Sequence, residues 1–299
     1  MKKFCRIRNW FLTGALFLLI GIANLQSQTQ HYNAALLFLQ QNQIDSARKE
    51  IDIEMLQPGA QSCAPCLFIY GVIYKELYKR DQVADLNSPY RTIAYDALKK
   101  SLAIDTTDVG RRQTQDHIRV IALYYYNNVV ATLDTAHYET AIKCYNLYRE
   151  ATLLADPTFD IKKKDIEFYL ALGSTYMSAY DADKKKNAKY FDLERDAYLQ
   201  VLKLDPDNYT ANYNIGLLFW NKGVDIIYNV DYDDSLTNIF DTEDKSVELF
   251  KESLPFATKA YEIEPKREET LIVLSGIYYS LNDFEKSKAY KDMLDNLRH

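Results

Sequence analysis

The segment Tyr169-Leu170-Ala171-Leu172-Gly173-Ser174-Thr175-Tyr176 sets an aromatic residue, a Leu-Gly pair and a further tyrosine on one stretch of helical period. Ile215-Gly216-Leu217-Leu218-Phe219 repeats the arrangement, and Tyr70-Gly71-Val72-Ile73-Tyr74 and Leu274-Ser275-Gly276-Ile277-Tyr278 are close variants. A small residue among large apolar ones lets two helix backbones approach, while periodic apolar residues fill the flanks of the pair. Punctuation recurs on the same scale. Pro58, Thr106, Pro157, Pro206 and Pro265 hold equivalent places, at spacings of 48, 51, 49 and 59 residues. Self-similarity at a steady period marks a repeat architecture.

These residues resemble the tetratricopeptide repeat family, whose unit is a pair of antiparallel helices with the pattern aromatic-x2-Leu-Gly-x2-Tyr and a terminal proline. The resemblance covers residues 28–299, in units of roughly 31–58, 64–107, 115–157, 161–206, 208–265 and 267–299. It implies an all-α, right-handed α-solenoid of about six helix hairpins with a concave face. Small residues pair at a separation of 12 in Ala35–Ala47, Val129–Ala141 and Ser275–Ser287. Gly71–Ala94, Gly173–Glu194 and Gly216–Ser253 are 23, 21 and 37 apart, so three units are expected to carry insertions between their helices. Helices are expected near 31–41, 43–56, 64–80, 90–104, 115–132, 138–154, 161–181, 188–204, 208–229, 244–263, 267–280 and 283–297. Asn208 or Thr210 can cap the helix that follows the turn Asp205-Pro206-Asp207.

Composition agrees with this reading. Glycine supplies 9 of 299 residues, less than half the usual share of roughly 7 %. So few glycines offer little for phosphate-cradling loops or tight hairpins, which argues against dinucleotide-binding, P-loop and all-β folds. The 25 tyrosines point instead to aromatic packing between helices.

Residues 1–27 read as a signal peptide. Lys2, Lys3, Arg6 and Arg8 precede an uncharged run, Trp10–Ala23, with small residues at Gly21 and Ala23. That run spans about 21 Å as a helix, short of a bilayer core of roughly 30 Å. An exported protein is expected, periplasmic or associated with the cell envelope, with secretion or an uncleaved membrane anchor as alternatives. Without those four basic residues the balance is 32 basic against 42 acidic. Nucleic acid is therefore not an expected partner, since phosphate contacts need clustered Lys and Arg. The triplets Lys162–Lys164 and Lys184–Lys186 are flanked by Asp160, Asp165, Asp181 and Asp183 and read as solvated helix faces.

Cys63-Ala-Pro-Cys66 is the motif with intrinsic chemistry. It reads first as a local disulfide, with free thiols and a redox or metal pair as alternatives. A thioredoxin-like role would need a strand before it, and none is expected there. His31, His117 and His137 fall in no HExxH or GxSxG context. Asp231, Asp233 and Asp234 resemble a calcium loop, but Leu236 and Thr242 stand where its glycine and final acid belong. The stretch between Gly223 and Lys245 is thus expected to be a flexible acidic excursion. No metal, cofactor or catalytic residue is expected.

By the resemblance, part of each first helix faces the groove. Tyr32-Asn33, Tyr126-Asn127 and Tyr213-Asn214 share one place in three units, and Phe68, Leu170 and Ile272 take the tyrosine's place in the others. Leu217, Trp220, Met177 and Tyr279 extend that surface. Asparagine suits backbone amides and tyrosine offers a rigid apolar face with a polar tip, so the expected partner is another envelope protein or an extended peptide. Packing of these tyrosines between helices is the alternative. The basic clamp of chaperone-tail-binding members is not expected, because Tyr, Phe, Leu and Ile hold those places. The expected function is a non-enzymatic interaction scaffold. Its rivals are a small-ligand or glycan binder using the groove aromatics, and a thiol–disulfide redox protein using Cys63 and Cys66.

Overall fold

Side-chain caps decide where the helices begin. Ser88 Oγ accepts the Arg91 N–H, Thr107 Oγ1 that of Gly110, Asn208 Oδ1 that of Ala211 and Ser235 Oγ that of Asn238, at 3.1–3.4 Å. Each satisfies an amide that the first helical turn leaves without a partner. The computed structural model describes residues 30–83, 85–231, 233 and 235–298. The expected signal peptide at 1–27 lies outside them.

The described residues form twelve α-helices and no strand: α1 (Gln30–Gln40), α2 (Ile44–Glu54), α3 (Ala64–Asp81), α4 (Pro89–Ile104), α5 (Asp108–Thr132), α6 (Tyr138–Ala155), α7 (Lys162–Ala182), α8 (Lys189–Leu204), α9 (Tyr209–Tyr228), α10 (Leu236–Ile263), α11 (Glu268–Ser280) and α12 (Phe284–Arg298). Contacts are densest within α1/α2, α3/α4, α5/α6, α7/α8, α9/α10 and α11/α12. The architecture is an all-α solenoid of six stacked hairpins. No helix of the described residues is long and apolar enough to cross a membrane.

Close backbone approach holds these hairpins together. A Cβ at Gly71 would lie 2.6 Å from Leu98 and 3.1 Å from the Ala94 carbonyl, and one at Gly216 would lie 3.0 Å from the Ala257 backbone nitrogen. Ser253 Oγ donates to the Gly216 carbonyl at 2.6 Å, and Ser275 Oγ to the Ser287 carbonyl at 3.0 Å. Gly173 instead faces the Tyr198 ring, four residues past the expected Glu194.

The insertions become helix rather than loop. Only residues 229–235 separate α9 from α10, and α10 runs for 28 residues. Of the expected excursion at 223–245, residues 223–228 belong to α9 and 236–245 to α10, which Ser235 caps. Likewise α5 starts at Asp108, about two turns before the expected 115, because Thr107 caps a polar first turn.

Buried residues from Tyr32 to Leu218 form one apolar cluster running through the first four hairpins and reaching α9. A second gathers Tyr198, Val201, Ala211, Ile215 and Phe219. A third joins Ala257, Val273, Leu274 and Ile277.

Candidate functional site: the seam between the third and fourth hairpins

Of all consecutive helices, α6 and α7 make the sparsest backbone contact. Rings span the space between them. Tyr145 of α6 stacks on Phe168 of α7 with centroids 3.8 Å apart and planes parallel within 1°. Its hydroxyl donates to Asp165 Oδ1 at 2.7 Å, and the Arg149 Nε–H reaches the same carboxylate at 3.2 Å. Burial and the Asp165 carboxylate push the Tyr145 phenol well above its ordinary range. Tyr138, Tyr176 and Tyr190 meet at 5.1–5.8 Å at the other end of the seam.

Because side chains rather than backbones bridge this joint, a cavity of about 260 Å³ remains between α5 and α7. Val129, Val130, Leu133, Phe168 and Ala171 give it apolar walls, with Tyr126 and Tyr145 beside them. At its rim Lys164 Nζ lies 2.6 Å from Glu167 Oε2 and 5.3 Å from the Tyr126 ring centroid. The Glu167 contact holds the Lys164 ammonium above its usual range. Leu123 and Val130, both exposed (59 % and 69 %), flank Tyr126 and Asn127 at helical spacing on α5. Helix α5 is therefore apolar on two faces. One carries Ile118, Ile121, Ala122 and Tyr125 into the core, the other opens on the cavity through Tyr126 and Val130, and Val129 belongs to both.

Only part of the expected groove is brought together here. Tyr126 lines the cavity and Asn127 is exposed beside it. Tyr32 requires a correction: at 5 % exposure it is a core residue of the first hairpin and cannot face a partner. Asn33, its neighbour, is exposed. Phe68 packs edge-to-face on His117 at 5.4 Å. Leu170 packs against the second cluster, while Tyr213, Leu217 and Trp220 pack against the third. The Trp220 ring covers Gly276 so closely that a Cβ there would overlap it, which makes it a joint between α9 and α11 rather than an open platform. Met177 and Asn214 are half-buried, and Ile272 and Tyr279 are exposed on α11. The parts of the site that the repeat pattern does not single out are Val130, Leu133, Phe168 and Ala171. The second apolar face of α5 marks Val130; nothing in the sequence pattern marks the others.

The remaining polar groups have structural settings. Cys63 and Cys66 are joined by a disulfide that closes the first turn of α3, and the Cys66 N–H donates to Cys63 Sγ at 3.2 Å. Cys66 is buried and Cys63 half-buried. Burial pushes His117 down to about 4, with Lys75 adding to the effect. Glu194, 2 % exposed, is pushed up to about 8 by desolvation, with Asp181 a smaller cause. Among the described residues no group of three or more His, Cys, Asp or Glu side chains is placed to hold a metal ion.

No family model matches the chain, and no curated protein matches it. Among solved structures, the chain is similar to MamA from AMB-1 at 14 % identity and a TM-score of 0.29, over 77 % of this chain and 99 % of that one. A mutant form of MamA aligns at 14 % identity and a TM-score of 0.30, over 77 % of this chain and 98 % of its own.

Proposed function

We propose that this protein is an exported, non-enzymatic scaffold that binds a segment of another cell-envelope protein along its first-helix face, seating one apolar side chain between α5 and α7. The cavity at the seam carries this reading. Its volume of about 260 Å³, near the lower end of the roughly 300–1,000 Å³ of small-molecule sites, leaves room for a single anchoring side chain. Buried apolar anchors with exposed polar surroundings are how interfaces concentrate their energy. Asn127 stands beside the cavity, where its amide can pair with a partner's backbone. The basic start and the uncharged run Trp10–Ala23 support export.

The test is site-specific photo-crosslinking in the native host. A photoreactive residue replacing Val130 should capture one discrete envelope protein, and the same residue at exposed Leu56 on the first hairpin should not. Adding Ala171→Leu, which fills the cavity, should abolish the capture at position 130. Capture of the same set from both positions, or capture unaffected by the filled cavity, sinks the reading.

A further inference from the structure

The fifth hairpin outruns its packing. The first ten residues of α10, 236–245, contain no buried side chain; the first is Ser246. Ile239 and Thr242 are half-buried there and the other eight are exposed, so ordering these residues costs backbone entropy with little burial to offset it. Yet they and the end of α9 present large apolar groups to water: Tyr228 is 84 % exposed, Leu236 71 % and Phe240 59 %. Leu236 and Phe240 are four residues apart and share one helix face, which Glu243 and Asp244 continue one turn on. Asp231, Asp233 and Asp241 are also exposed at this end, against Lys245 as the one basic residue of 229–245. Among the described residues no lysine or arginine pairs with Asp231, Asp233, Asp241, Glu243 or Asp244.

We propose that this tip is a second docking surface, whose partner is a basic amphipathic helix that lays its apolar residues on Tyr228, Leu236 and Phe240 and its lysines or arginines against Asp241, Glu243 and Asp244. Charge complementarity selects this occupant. An anionic lipid surface would be repelled by the same acids that flank the apolar residues. A second copy of a chain with a net acidic balance meets the same repulsion. A basic helix gains from both halves of the face, as helix-in-groove recognition does. The surface belongs to α9 and α10, apart from the seam between α5 and α7, so the two readings stand or fall separately.

The experiment titrates the full chain into a labelled amphipathic peptide of leucine and lysine, read by fluorescence anisotropy. Controls are a leucine–glutamate peptide of the same pattern and vesicles of anionic lipid. The expected result is binding of the lysine peptide alone, weakened at least about tenfold by L236S/F240S and, separately, by D241N/E243Q/D244N. All five residues are exposed, so circular dichroism should be unchanged in both variants. A171L, at the seam, should bind the lysine peptide as the wild type does. Equal binding by wild type and tip variants would show only general attraction to an acidic chain and overturns the proposal. So does binding of the glutamate peptide or of vesicles, and so does a wild-type dimer in sedimentation that L236S/F240S dissolves.

Discussion

The joint between α9 and α10 and the joint between α6 and α7 solve one problem in opposite ways. At the first, Gly216 has no side chain, Ser253 bonds its carbonyl at 2.6 Å, and Ala257 sits against it. Two backbones meet and nothing else fits. At the second, Tyr145 and Phe168 stack between backbones held apart, and a cavity of about 260 Å³ is left beside them. Small residues thus make joints that are stable and closed. Aromatic ones make joints that are stable and open, because a ring fills the middle of a gap without sealing its edges.

Substitutions of the same kind at both joints would break the comparison if it is wrong. Gly216→Leu forces a side chain into the Ala257 backbone and should cost about 3 kcal/mol through overpacking, with a melting temperature lower by roughly 6–12 °C. An unchanged melt would show that the close approach is not what holds α9 to α10. At the open joint, Tyr145→Phe keeps the ring stack and removes the bond to buried Asp165. A loss of about 1.5–2 kcal/mol in chemical denaturation is expected, as for a hydrogen bond to a charged group. No loss would assign the Asp165 carboxylate to Arg149 alone.

A third measurement concerns the hairpin that links the two joints. Glu194 has its folded value raised from 4.5 to about 8, so the folded state holds a proton that the unfolded chain releases. Its contribution is fully present below pH 4.5 and is lost progressively as pH rises to about 8. Glu194→Gln should therefore gain melting temperature over the wild type across that window, with no gain at pH 4. A difference that does not depend on pH would show that Glu194 ionises normally. The smallest effect is expected from Ala171→Leu. It adds to the open joint what Gly216→Leu adds to the closed one, yet stability should change by less than about 0.5 kcal/mol, as at ordinary surface positions. A loss comparable to that of Gly216→Leu would mean that the seam is already full.

Much of the fold is legible because helix period and punctuation agree: Gly71, Gly216 and Ser275 announce the closed joints, and Asn208 caps α9 as the turn before it suggests. The starts of α5 and α10 are not legible, since Thr107 and Ser235 open polar stretches with no apolar period to mark them. The site is less legible still. A repeat pattern locates positions within a unit, whereas the cavity depends on the distance between units, which the sizes of Tyr145 and Phe168 set. Tyr32 and Tyr126 occupy the same place in the pattern, yet one is core and the other lines a cavity.

The division of the apolar interior has a temporal meaning. One large cluster runs through the first four hairpins and reaches Leu218 of α9, a smaller one joins α8 to α9 and another α10 to α11, and α12 buries only Leu294. Peeling α12 away exposes the least of the apolar interior, so the molecule has an end from which it frays. The seam cavity, walled by Val129, Tyr145 and Phe168 of the large cluster, lies away from that end.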